Sequence, residues 1–116
     1  MKKLNWILLE RTAQIDDLVE RSHSTPCLIF KHSTKCLISD VALGRLEKQW
    51  HFQTDQIIPY FLDAIAFRPI SKYICETFEE HHETPQILLI ENGECILEAN
   101  NMDIHVSEIE EMFENV

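Results

Sequence analysis

The chain has 116 residues, 45% of them hydrophobic, with only two glycines and four prolines, which fits one domain with its own core and no linker. Residues 1–75 carry ten Lys/Arg against eight Asp/Glu, a net of +2, whereas residues 76–116 carry twelve acidic residues and no basic ones, a net of −12. Nucleic-acid binding lacks its basic stripe, no apolar run is long enough to cross a membrane, and the four cysteines match no zinc spacing.

The opening MKKLNWILLERT sets two lysines before an apolar run, but the run is short, contains Asn5 and meets Glu10 and Arg11 without a small-residue cleavage site. A chain with an ample core and no export signal is expected to be cytoplasmic, with Cys27, Cys36, Cys75 and Cys95 as reduced thiols. Thr12 is placed to cap a first helix whose apolar face is Ile15, Leu18 and Val19. TPCLIFK then predicts a buried parallel strand, and HSTK the loop after it.

From Cys36 onward, Ile38, Ala42, Leu46 and Trp50 recur every fourth residue and mark a second helix. IIPYFLD predicts a strand, and because Pro59 cannot donate to a ladder, residues 57–62 are expected at a sheet edge. Pro69 opens a third helix, with Ile70, Tyr73, Ile74, Thr77 and Phe78 on one face. Two apolar runs around Asn92-Gly93 predict a hairpin with antiparallel strands 86–90 and 95–99. A final helix carries Ile109, Met112 and Phe113, with Ser107 and Glu110 as a capping box.

The order α-β-α-β-α-β-β-α predicts an α/β fold over residues 1–116. Strands joined through helices run parallel, and the hairpin is antiparallel. The result is a thioredoxin-like single domain, a four-stranded mixed sheet flanked by helices, with an extra N-terminal helix.

In that layout Cys36 opens the helix after the first core strand. Free helical N–H groups and the positive end of the helix dipole favour a thiolate there. Lys35, Lys31 and His32 add positive charge, and Ser39, one turn on, can donate its hydroxyl to the same sulfur. A thiolate is the nucleophile of disulfide exchange, and a serine cannot resolve a mixed disulfide. These residues therefore support monothiol exchange through Cys36; from spacing alone, a cysteine serving only as a small capping residue fits equally well.

IFKHSTKCLIS, followed by RPIS at 68–71 and HETPQILLI, resembles the bacilliredoxins of the bacillithiol system, specifically the monothiol YtxJ-like family. The resemblance runs over nearly the whole chain and implies a thioredoxin-like oxidoreductase. It makes Cys36 the redox cysteine and Ser39 the residue standing where a resolving cysteine would be. Pro85 becomes the cis-proline of the fold, and Thr84 the residue whose backbone meets the substrate. Leu37 departs from the family's proline, Thr84 from its serine, and EANNMDIH lacks the family's Ser-His. The implied substrates are bacillithiolated or otherwise oxidised proteins, with bacillithiol as low-molecular-weight co-substrate and no bound cofactor. Bacillithiol's carboxylates make Lys31, Lys35, Arg68 and Lys72 candidates to attract it.

Cys27 and Cys95 are expected in apolar surroundings, and Cys75 lies off its helix's apolar stripe, where it is a candidate resolving thiol. His81 and His82 invite a metal site with His32 and Cys36, but adjacent histidines point apart and are read as polar loop residues, so no metal is expected. Two alternatives stand beside the exchange reading. One is a monothiol glutaredoxin using glutathione or an iron–sulfur cluster, although CLIS matches CGFS only at its ends. The other is a non-catalytic thioredoxin-like binding module, for which Leu37 speaks.

Overall fold

The structure is a computed structural model and describes residues 4–114, so the paired lysines of the N-terminus lie outside the described residues. Five strands form one sheet in the order β1-β3-β2-β4-β5. They are β1 (Ile7–Leu8), β2 (Cys27–His32), β3 (Ile58–Asp63), β4 (Gln86–Glu91) and β5 (Glu94–Asn100). The helices are α1 (Ala13–Arg21), α2 (Leu37–Gln49), α3 (Arg68–Phe78) and α4 (Val106–Glu114). The first three strands are parallel, β4 runs antiparallel to β2, and β5 antiparallel to β4.

Two cores follow from the period-2 alternation of the central strand β2. Cys27 and Ile29 face one side, packed with Ile15 and Leu18 of α1 and Ile70, Ile74 and Phe78 of α3. Leu28 and Phe30 face the other, with Ala42 and Leu46 of α2 and Ile109 of α4. Every residue of β2 is buried, which is why it reads as an unbroken apolar run up to Lys31.

Several expectations need correction. The sheet has five strands, because Ile7 and Leu8 pair with Tyr60 and Phe61. That strand precedes α1, so the first helix does not open the fold. Residues 57–62 are accordingly not at the edge. Ile58 N–H points to Pro26 O across β2 and Leu9 N–H reaches Phe61 O, so the Pro59 nitrogen faces the β1 side, one residue before β1 begins to pair. The proline thus sits where no ladder bond is asked of it.

Thr12 occupies the N-cap of α1 without a side-chain cap bond. Gln14 ties that turn down instead, accepting from Glu10 and Arg11 N–H and donating to Leu8 O. The buried face of α2 is Ser39, Ala42 and Leu46, with Ile38 turned outward. Helix α4 begins at Val106, so Ser107 lies inside it rather than at its cap. Other expectations match the structure: Pro69 lies in the first turn of α3, and Asn92 and Gly93 have φ of 54° and 78°, as a type I′ turn requires.

Candidate active site

The central strand delivers the site. After His32 the chain turns through Ser33, Thr34 and Lys35, and Cys36 becomes the N-cap of α2 in extended conformation, φ −127° and ψ 117°. Cys36 N–H donates to Ser33 O at 3.2 Å, closing the turn, while Cys36 O accepts from Ser39 and Asp40 N–H to start the helix. Its thiol is half-buried, and among the described residues Sγ makes no hydrogen bond. The N–H groups of Leu37 and Ile38, which helix geometry leaves without intrahelical acceptors, lie in the turn right after the sulfur's residue. Leu37 (82% exposed), Ile38 and Val41 give an apolar rim on the exposed side of the same turn.

Ser39 is fully buried, and its hydroxyl is committed elsewhere than to the sulfur. Oγ accepts Ser33 N–H at 3.0 Å and lies 2.7 Å from His32 Nδ1. It therefore staples the loop to the helix, and the expected hydroxyl bond to Cys36 Sγ is not formed. Lys35 is exposed, its N–H is held by Ser33 Oγ at 3.3 Å, and its side chain makes no ion pair among the described residues. His32 belongs to the strand rather than to the loop. Its ring lies against Phe30 and Phe61, with Nε2 3.6 Å from Asp40.

Lys31 does not join Cys36. As the next residue on a strand it faces the opposite side from His32, toward α3. It is 0% exposed, and Nζ reaches Cys75 Sγ at 3.3 Å and Ser71 O at 3.4 Å. Burial pushes the Lys31 ammonium below the ordinary lysine range, opposed by the Cys75 sulfur.

The Thr84–Pro85 peptide is cis. Gln86 pairs with Lys31, so Pro85 falls level with His32, and the proline loop and the Cys36 loop leave the same end of neighbouring strands. Asn101 holds that loop from the far side, its N–H donating to Pro85 O and its side chain to Glu83. The β3–α3 turn completes the rim: Ala64 N–H donates to His32 O, and Asp63 Oδ1 accepts from Ile65 and Ala66.

Between that turn, α3 and Thr84 runs an open groove of about 500 Å³, with Arg68, Lys72, Cys75 and His82 in its walls. Burial and the neighbouring Lys31 charge hold His82 below the ordinary histidine range, and its Nδ1 lies 3.1 Å from Ser71 Oγ. A smaller cavity, about 290 Å³ and lined by Leu4, Trp50, Phe52 and Pro59, sits at the other end of the sheet.

All four cysteines are free. Burial pushes the Cys27 thiol up to about 11, and burial with the Glu80 carboxylate pushes Cys95 up to about 12. Both are thus protonated at neutral pH. Sequence reasoning left His32 and Lys31 as general positive charge; the alternation of a strand extended by two residues is the signal that separates them.

Among the described residues, His32, His81 and His82 do not form a metal-ligating cluster with one another. His81 pairs instead with Glu98 at 3.6 Å. Among the described residues one group brings metal-ligating atoms within 4.8 Å of each other, Glu80, His81 and Glu98. Glu98 already accepts from Gln86 and Asn100. No helix among the described residues is long and apolar enough to cross a membrane.

Solved structures share this architecture. A candidate oxidoreductase with a thioredoxin fold superposes with a TM-score of 0.78 at 28% identity, covering 90% of each chain. A Malassezia sympodialis thioredoxin gives a TM-score of 0.73 at 14% identity, covering 99% of this chain and 93% of its own. A chain from work on thiol resolution of a yeast mitochondrial 1-Cys peroxiredoxin gives 0.74 at 16%, covering 99% and 100%. The latter two identities speak for the fold alone. A family model described as monothiol bacilliredoxin BrxC matches residues 7–109, and the chain, with its single helix-capping cysteine, belongs to that family of thiol oxidoreductases.

Proposed function

We propose that the protein removes bacillithiol from protein mixed disulfides by monothiol exchange at Cys36. The observation that carries the reading is the placement of Cys36: the half-exposed N-cap residue of α2, just beyond the central strand and at the same end of the sheet as the Thr84–Pro85 loop, with a sulfur that makes no hydrogen bond among the described residues. Backbone N–H groups at the start of α2 and the Lys35 charge stabilise negative charge on the sulfur. Thr84 offers its backbone to the incoming segment, and Leu37, Ile38 and Val41 offer a protein substrate an apolar surface.

In the first step Cys36 Sγ attacks the bacillithiol sulfur of the mixed disulfide. A Cys36–bacillithiol disulfide forms, the original S–S bond breaks, and the freed protein thiolate takes a proton from water. A second bacillithiol thiolate then attacks the adduct, giving bacillithiol disulfide and restoring Cys36. Ser39 has no thiol, and its hydroxyl is engaged with Ser33 and His32, so resolution comes from outside the chain.

The test is an intact-mass measurement after exposure to oxidised bacillithiol and, separately, oxidised glutathione, with the adduct mapped to a residue. Preferential bacillithiol capture at Cys36 is expected. Equal capture of both thiols at Cys36 would remove the substrate assignment, and the absence of any adduct on Cys36 would remove that residue.

A further inference from the structure

The chemistry-bearing groups on the α3 face of the sheet are not used by Cys36. Lys31 carries an ammonium with no exposed surface, and among the described residues no carboxylate lies within salt-bridge distance of it. Burying an ammonium without an anion is costly. Its two partners are a carbonyl and the sulfur of Cys75, which comes from 44 residues further along the chain. Of these, only the sulfur can take on negative charge. Directly across the ladder from Lys31, Gln86 is also fully buried, and its Oε1 has no hydrogen-bond partner. The wall thus holds an unpaired cation and an unused acceptor side by side.

The Cys75 side of that wall opens into the groove of about 500 Å³, a size that suits a small molecule. Arg68 and Lys72 stand exposed along it and make no ion pair among the described residues, against a single carboxylate, Glu76. In a chain whose formal net charge is −10, this is a locally cationic groove with a sulfur in its wall.

We propose that Cys75 is a second reactive thiol, which takes up an anionic low-molecular-weight thiol as a mixed disulfide in this groove. The reactants are the Cys75 thiol and a symmetrical disulfide of the small thiol. Cys75 Sγ attacks one sulfur, the Cys75–S bond forms, the small disulfide's S–S bond breaks, and the departing half takes the electron pair and the proton Cys75 gave up. Cys75 is oxidised and one small thiol is released. The Lys31 ammonium stabilises negative charge on Sγ both as it attacks and as it leaves on reduction. Arg68 and Lys72 hold the carboxylates of the captured half. This modification is separate from the exchange assigned to Cys36, the N-cap residue of α2, which packs on the other face of β2.

The experiment uses the Cys36→Ser protein, so that loss of the first thiol's chemistry cannot affect the outcome. It is incubated at low salt with oxidised glutathione, whose halves are anionic, and separately with cystamine, whose halves are cationic. Intact mass and peptide mapping follow the product. One glutathionyl group on Cys75, removed by reductant and formed faster than the cystamine adduct, is the expected result. Arg68→Gln with Lys72→Gln, both at exposed positions, should slow glutathionylation about threefold and speed cystamine capture by a similar factor. Lys31→Met, checked for folding by circular dichroism, should slow both about tenfold. No adduct, an adduct on Cys27 or Cys95, or equal rates with the two disulfides in every variant would overturn the proposal.

Discussion

Ser39→Ala separates two roles for one hydroxyl. In the structure Oγ satisfies Ser33 N–H at 3.0 Å and pairs with His32 Nδ1 at 2.7 Å, and all three residues are buried. Removing it strands two polar groups at once. Each stranded group costs about 1–3 kcal/mol, and because both lose the same partner the total is about 2–4 kcal/mol. At about 4 °C per kcal/mol for a domain of this size, the melting temperature should fall by about 8–16 °C. Thermal unfolding followed by circular dichroism reads this directly, with iodoacetamide alkylation of Cys36 measured in parallel below the transition. The expected pattern is a large loss of stability with little change in alkylation rate. An unchanged melting temperature with markedly slower alkylation would refute the staple and return the hydroxyl to the sulfur.

Other substitutions test the remaining links. Cys36→Ser should abolish release of bacillithiol from a capped test protein, whereas Cys27→Ser, Cys75→Ser and Cys95→Ser should each keep most of it; retained activity in Cys36→Ser would disqualify the site. Leu37→Pro should stabilise the chain by about 0.4–1 kcal/mol, because an N1 proline loses no intrahelical bond and Cys36 already has the extended backbone a following proline requires. A lower melting temperature for that variant would show that the Leu37 N–H has a use. Burial on folding raises the Cys27 thiol from 9.0 to about 11 and the Cys95 thiol from 9.0 to about 12. The unfolded chain therefore binds fewer protons above pH 9, so stability is held below that pH and declines as pH rises past it. Thermal melts from about pH 8 to about pH 10.5 should show the decline, with a flatter slope in Cys27→Ala; an identical slope would remove Cys27 as its source.

Local chemistry decided much of this protein in advance. An apolar run bounded by Pro26 and a polar loop reads as a buried strand, Pro69 suits a helix start, and Asn92-Gly93 suits a turn with two positive φ angles. The placement of Cys36 at a helix start followed from the strand before it and the recurrence after it, although Ile38 of that recurrence faces outward and Trp50 lies at the C-cap. The cis Thr84–Pro85 bond rested on the family resemblance, since residue type alone favours trans.

What tertiary structure alone decided involves partners distant in sequence. A two-residue strand such as Ile7–Leu8 is too short to show any period, and its pairing is what moved Pro59 off the sheet edge. Ser39 looked like a partner for the sulfur one turn away, but helix α2 turns it inward, where Ser33 and His32 compete successfully for its hydroxyl. Lys31 and Cys75 meet only because β2 alternates and α3 packs across its face. Side-chain period is a property of one segment and is written in it. Which side chain faces which depends on how two segments cross, and that is set by burial over the whole core.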